Sequence, residues 1–494
     1  MKQYFIGIDI GTSAAKTLLM DEHGVVTAQV SREYPLYQPA NGWAEQDPED
    51  WRNAVFSAVR ELVERSQAEP EQVMGIGFSG QMHGLVMLDQ NGKPIRRSII
   101  WCDQRSAEQT EEMCSLMPEE KWLEITANPP IAAWTAAKIL WVRKEEPENW
   151  EKCRHILLPK DYIRYCLTGV FATDVSDASG MQLLDVKNRV WSDTVLECLS
   201  IDKAMLAQVF ESQEVTGTLL PEAAKELGLT EKVKVVAGAA DNAAAAVGTG
   251  TVGDGACNIS LGTSGTVFIS SDKFGVDENN ALHSFDHADG SYHLMGCMLS
   301  AASCNKWWMD DIIGTKDYGA EQENITKLGE NHVFFLPYLM GERSPHNDPN
   351  ARGTFIGLTM DTTRADMTQA VLEGVAFALR DSFEVARSLG IHIARTRICG
   401  GGAKSPLWKK IVANVLNIPV DIPENEQGPS MGGAMLAAVA CGEYPTVRDA
   451  AEAIVKLTDT VEPEPELAAK YEERYQKFRK IYPACRDLFL ELAK

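Results

Sequence analysis

No stretch of these 494 residues approaches the ~18 consecutive apolar residues of a membrane-spanning helix. The eleven cysteines include no C-x-x-C pair, so neither a zinc site nor a disulfide framework is indicated, and a reducing, cytoplasmic setting fits best. Basic residues are in deficit: 47 Lys and Arg against 70 Asp and Glu leave a formal charge of -23. That balance excludes a general binder of nucleic acid or of anionic membrane, since each needs a basic face to displace counterions. Low-complexity tracts and long single-sign charge blocks are absent too, and disorder is not expected. The opening "MKQYFIGIDIG" enters a strand at once, so no signal peptide is expected. Two familiar nucleotide fingerprints are also missing. "GIDIGTS" leads into a strand rather than a helix, and "GGGAKS" lacks the glycine before lysine that a P-loop needs.

What is present is a repeat. "YFIGIDIGTSAAKTLLMD" near the start and "ACNISLGTSGTVFIS" half a chain later both read strand, Gly-Thr-Ser, strand. The chain is too long for one hydrophobic core, because cores stop growing near ~250–300 residues. Two related domains are therefore expected, residues 1–248 and 249–494. The alternation of strands and helices reads as α/β layers. Strands are expected over 4–9, 15–20 and 24–31. A helix follows, with Asp47 as cap, Pro48 in first position, and Trp51, Val55, Val59 and Leu62 on one face. Later, "RTRICGGGAKSPLW" reads strand, glycine loop, helix, with Ser405 as N-cap and Pro406 first. The small residues of "GPSMGGAMLAAVACG" would let a neighbour approach closely, and the last stretch from about residue 467 reads as a surface helix or helix pair.

The repeated element has a chemical reading. Glycine in a tight turn opens backbone angles closed to other residues, and Thr and Ser present hydroxyls and amides, so each loop can face an oxyanion. Either copy alone reads better as a plain hairpin. Two copies, with a third glycine loop at Gly400–Gly402 opening onto a helix N-terminus, favour a grip on a polyphosphate or nucleotide. His283 and His287 stand four apart, but "ALHSFDHADGSYHLM" reads strand, turn, strand, and no metal role is assigned to them.

Beyond this point the motifs match a known family. "YFIGIDIGTSAAK", "GFSGQMHG", "IIWCDQR", "LLPKDYIRYCLTG", "GAADNAAAAVGTG", "SLGTSG", "FLPYLMGERSPHNDPNARGTFIGL" and "GGGAKSPLW" together resemble carbohydrate kinases of the FGGY family, from about residue 4 to about residue 445. "GTFIGLTMDTTRADMTQAVLE" fits one family pattern throughout. The other, around "WTAAKILWVRKE", departs once, at Ala133, which bears on a local backbone detail. The resemblance implies an α/β fold of two actin-like (ribonuclease H-like) domains, each a mixed sheet flanked by helices, closing on ATP and a sugar in the cleft between them. Within the family, "QMHG" resembles the kinases of the ketopentose D-xylulose. Kinases of ribulose, gluconate or glycerol, and a non-catalytic nucleotide-binding actin-like protein, stay open as alternatives.

The resemblance also implies roles. Asp241 matches the family's catalytic aspartate, although from its position alone it serves equally well as an N-cap. Helix amides are expected to keep its carboxylate ionised. Asp9 would stand near Mg2+, which takes few carboxylates. Gly11, Thr12, Ser13 and Gly262, Thr263, Ser264 would cradle the phosphates of ATP with Lys16 adding charge, and Gly401, Gly402, Ala403 and Lys404 would border the adenosine. Gln81, His83, Asp103 and Asn242 offer hydrogen bonds to a polyol, and Met82 and Trp101 an apolar face. Asp103 is as well placed to pair with Arg105. The expected partners are a small sugar and ATP, without nucleic acid or membrane, and with a homodimer open.

Overall fold

The computed structural model describes residues 2–66, 68–424 and 428–493. It divides into two compact units, one of Met1–Gly253, Phe285–Tyr292 and Gln427–Val455, the other of Asp254–Ser284, His293–Glu426 and Lys456–Lys494. A single cut near residue 249 therefore misses two returns of the chain to the first unit, Phe285–Tyr292 and Gln427–Val455. Late in the chain, the helix Gly428–Cys441 belongs to the first unit.

The first unit is built on a seven-stranded mixed sheet. β1 (Tyr4–Ile10) and β2 (Ala14–Asp21) form an antiparallel hairpin that closes with Ile10 opposite Ala15, and β3 (Val26–Glu33) extends it. On the other side of β1 runs Val73–Gly80, parallel to it, followed by Lys234–Val236 and the antiparallel edge Val215–Thr218. β1 is apolar on both faces because both are covered, as for any strand inside a doubly covered sheet. α1 (Pro48–Ser66) covers one face. The Glu49 amide donates to Asp47 Oδ1 at 3.0 Å, and Trp51, Val55, Val59 and Leu62 are fully buried, as the helical period requires.

The other face carries the small-residue helix Gly428–Cys441. A Cβ on Gly7 would lie 1.8 Å from Ser430 O, one on Gly77 1.9 Å from Gly433 O, and one on Gly432 1.9 Å from Ala244 O. Backbone therefore meets backbone, and only glycine permits it.

The second unit repeats the plan. Its hairpin, Ala256–Leu261 with Gly265–Ser271, closes with Leu261 opposite Gly265. Arg395–Cys399 runs parallel beside the first strand, Val420–Pro423 parallel beside that, and Leu457–Val461 is the antiparallel edge. Hairpin, two parallel strands and antiparallel edge follow in the same order as in the first unit, which is what the duplicated Gly-Thr-Ser elements predict. His283–Asp286 and Tyr292–Met298 form strands separated by a turn.

The chain's last stretch is a helix pair, Pro465–Phe478 and Ile481–Leu492, and the first of these is no mere surface helix. It buries Tyr471, Tyr475 and Phe478 in the core of its unit, and Arg474 meets Glu373 at 2.6 Å. Among the described residues no helix is long and apolar enough to cross a membrane.

Candidate active site

Asp9 sits one residue from the end of β1. Ser79 is its neighbour on the parallel strand and Lys16 its partner across the hairpin. Ser79 Oγ donates to Asp9 Oδ1 at 2.9 Å, and burial raises the pKa of Asp9 against that bond and the charge of Lys16. Lys16 itself is exposed. The two-residue strand Ala239–Ala240 pairs with Ser79 and Gly80, so the chain reaches Asp241 in the next step. Asp9, Ser79 and Asp241 thus gather at the carboxyl ends of three neighbouring parallel strands, where open α/β sheets bind ligands.

Asp241 is the first residue of the helix Asp241–Gly248, and the N-cap is Ala240. Its Oδ1 accepts the Asn242 amide at 2.7 Å. The expectation of a depressed pKa does not hold: burial first, and the charge of Asp9 second, push it up to about 7 against that single amide bond. One backbone donor is too little to offset lost hydration beside another carboxylate.

The first hairpin is tied back by its carbonyls. Gly11 O accepts from Tyr34 Oη and, at 3.3 Å, from Gln81 Nε2. Thr12 O accepts from Gln46 Nε2 at 2.6 Å, and Thr12 Oγ1 from the Trp101 indole at 2.8 Å. The second hairpin follows the same rule: Gly262 O accepts from the Ala302 amide at 2.8 Å, and Thr263 O from the Ala301 amide at 3.0 Å and Ser303 Oγ at 2.8 Å. Ser13, Thr263 and Ser264 are exposed at the tips. The Gly11 amide is itself spent on Ala14 O at 3.2 Å, so with the carbonyls held the hydroxyls and the remaining amides are the groups a tip offers, the polarity an anion needs. Neither Gly11 nor Gly262 adopts a positive φ, so the conformational argument for glycine fails at both turns.

It holds at Gly400, where φ is +90° and a Cβ would stand 2.9 Å from the carbonyl carbon and oxygen of Leu261. The glycine loop thereby lies against the second hairpin. Gly401–Lys404 forms a 3-10 turn before the helix Pro406–Leu416, which Ser405 caps through the Trp408 amide. Gly401 and Lys404 are exposed, and Gly402 and Ala403 buried.

Gln81, Met82 and His83 form the loop after Val73–Gly80 rather than part of a strand. His83 has φ +64°, stacks on Trp134 at 4.5 Å, and places Nδ1 2.7 Å from Gly180 O. Lys138, buried and with its pKa pushed down to about 7 by that burial, donates to His83 O and Ala133 O at 2.6 Å each. Met82 Sδ lies 3.8 Å from Asn242 Nδ2, which joins this loop to the Asp241 helix. Gln81 is 1% exposed; its Nε2 donates to Gly11 O and Gln46 Oε1, and its buried Oε1 has no partner among the described residues. Trp101 keeps 46% of its surface open. Asp103 is different. Both its oxygens are occupied, by the Ala44 amide at 2.6 Å and by the Arg105 backbone and guanidinium, so the pairing with Arg105 prevails over a sugar-facing carboxylate.

Gln46, Ser79, Tyr34, Trp134, Lys138 and Gly180 escape sequence reasoning. Each acts across a long separation, and a lone Gln or Tyr carries no motif. Among the described residues no group of three or more His, Cys, Asp or Glu could hold a metal. Magnesium in a kinase asks less, one or two carboxylates plus substrate phosphates. Asp9 fits: one oxygen is engaged by Ser79, and a cation there would relieve the repulsion with Asp241.

Residues 4–248 match the FGGY family of carbohydrate kinases, N-terminal domain, and residues 257–441 its C-terminal domain. The chain belongs to this family. It is an ATP-using carbohydrate kinase of two mixed α/β domains of the actin-like class. A xylulose kinase of Bacillus subtilis (strain 168) is 37% identical over 98% of each chain. The xylulose kinase of Escherichia coli (strain K12) is 38% identical over 97% of this chain and 98% of its own. A crystal structure of a "xyloylose kinase" from Brucella ovis superposes with a TM-score of 0.91 at 37% identity, over 98% of this chain and 100% of that one.

Proposed function

We propose that the protein transfers the γ-phosphoryl group of MgATP to D-xylulose, giving D-xylulose 5-phosphate and ADP, and that it does so in the cytoplasm. Full-length similarity to xylulose kinases supports the sugar, and eleven free cysteines support the compartment. The observation that carries the mechanism is Asp241, a carboxylate with a pKa of about 7 at the end of a strand beside Asp9. A base of that strength accepts a proton near neutrality without being too weak to hold it.

Asp241 takes the proton of the attacking sugar hydroxyl as its oxygen bonds to phosphorus and the bond to ADP breaks. Mg2+, held by Asp9, would spread charge over the phosphate oxygens. The tips Gly11–Ser13 and Gly262–Ser264 direct amides and hydroxyls at the phosphates, Lys16 adds positive charge beside Asp9, and Gly401–Lys404 borders the adenosine. Domain 1–248 would read the sugar and supply the first tip, and domain 249–494 would supply the second tip and the glycine loop. Met82, His83, Trp101 and Asn242 face the ketose. Gln81 holds the first tip from behind, and Asp103 anchors Arg105.

The test is ADP release with MgATP over a panel of D-xylulose, ribulose, gluconate and glycerol, for wild type and Asp241→Asn. Highest kcat/KM on D-xylulose and no turnover in the variant are expected. Preference for another acceptor overturns the substrate, and full turnover in Asp241→Asn overturns the base.

A further inference from the structure

Lys160 is fully buried and ringed by three carboxylates: Asp161 at 2.7 Å, Asp174 at 2.8 Å and Asp177 at 3.1 Å. Arg164, equally buried, reaches Asp161 at 3.2 Å. Removing so many charges from water is costly, and breaking one pair leaves another charge stranded. Such a cluster has little freedom to move. Its Lys160 also touches the end of Val73–Gly80, since a Cβ on Gly80 would lie 2.8 Å from Lys160 Cβ.

A run of hydrogen bonds leads outward from it. Asp174 caps the short helix Val175–Ala178, its Oδ2 accepting the Ser176 amide at 2.9 Å, Ser176 Oγ at 2.5 Å and Ser212 Oγ at 2.8 Å. Ser176 Oγ in turn accepts the amide of Ala240 at 3.0 Å, the residue before Asp241. Ser179 Oγ donates to Ser176 O at 2.7 Å and steadies the next turn. There Gly180 O meets His83 Nδ1, and a Cβ on Gly180 would stand 2.8 Å from both His83 Cε1 and Met82 Cε.

We infer that Asp174–Gly180, moored by Lys160, is one scaffold for both halves of the site. Ser176 positions Asp241 through the Ala240 backbone, and Gly180 positions the His83 loop. Both are positioning residues, and the inference rests on the roles proposed above for Asp241 and His83. One rigid piece then fixes the distance from base to sugar. A loss at either end has its own kinetic signature.

Lys160→Met would leave Asp174 and Asp177 without their cation and Asp161 with Arg164 alone, and is expected not to fold, so the two ends are tested instead. Ser176→Ala should lower kcat ~10- to 100-fold, the scale of a misplacement of ~1 Å, with KM for D-xylulose and ATP within ~3-fold. Ser176→Thr, which keeps the hydroxyl, should restore kcat. Gly180→Ala should raise KM for D-xylulose ~10-fold, with kcat and KM for ATP within ~3-fold. It carries the test alone if Ser176→Ala fails to melt cooperatively. Unchanged kinetics in folded variants, equal losses in every parameter, or no rescue by Thr would overturn the scaffold. Asp241→Asn tells the two ideas apart: turnover there defeats the proposed base, whereas an inert Asp241→Asn beside a fully active Ser176→Ala defeats only the scaffold.

Discussion

The charge of Asp9 bears on Asp241 and helps raise the pKa of that carboxylate to about 7, two strand ends away in the same sheet. Removing the charge should therefore lower the titration midpoint of Asp241. Carboxylate 13C NMR of the ligand-free protein, wild type against Asp9→Asn, reads this directly. An unmoved midpoint would mean that burial alone sets it.

The same raised pKa has a stability consequence with a definite sign. The folded state holds the Asp241 proton more tightly than the unfolded chain does, so its contribution is complete below about 3.8 and is lost as pH rises through about 7. Asp241→Asn retains an oxygen for the Asn242 amide and carries no charge. Its Tm should match wild type near pH 4 and exceed it by ~2–4 °C at pH 8. Equal melting curves at both pH values would contradict this.

Gln46 is fully buried, donates to Thr12 O and accepts from Trp51 Nε1 at 3.2 Å and Gln81 Nε2 at 2.8 Å. Gln46→Leu orphans these groups, at a cost of ~1–3 kcal/mol, and frees the first tip. A ~10-fold rise in KM for ATP is expected, larger than any change for the sugar. Initial rates against MgATP at saturating D-xylulose decide it.

Asp103 and His83 should separate cleanly. Asp103→Asn leaves the Arg105 guanidinium, 1% exposed, with Glu45 at 2.8 Å as its remaining carboxylate, and should cost ~3 kcal/mol in urea unfolding. His83→Ala should instead raise KM for D-xylulose ~10-fold or more and leave KM for ATP nearly unchanged. A stable Asp103→Asn that loses only sugar affinity would return Asp103 to the pocket.

Gly400→Ala faces two obstacles at once, a φ of +90° and a Cβ 2.9 Å from the Leu261 carbonyl. Moving the glycine loop off the second hairpin should raise KM for ATP ~10-fold and spare KM for D-xylulose. Kinetics like wild type in a folded variant would show that the loop does not shape the nucleotide site.

The sequence by itself determined what short-range chemistry controls. Alternation and turn residues placed β1, β2 and β3, the period of Trp51, Val55, Val59 and Leu62 placed α1, and the repeated Gly-Thr-Ser marked two equivalent units. Motifs spread along the chain carried the family. Only the tertiary structure decided how strong a base Asp241 is, because desolvation and the charge of Asp9 arise from strands brought together by folding, whereas the helix amide visible in the sequence is the weaker influence. It alone assigned Gln46 to the hairpin, Asp103 to Arg105, and Gly180 to a His83 that lies 97 residues away. It also moved the glycine argument from Gly11 and Gly262 to Gly400. Local propensity acts over a few residues, and hydrogen bonds between buried groups act over a few ångströms. Only the fold converts one distance into the other.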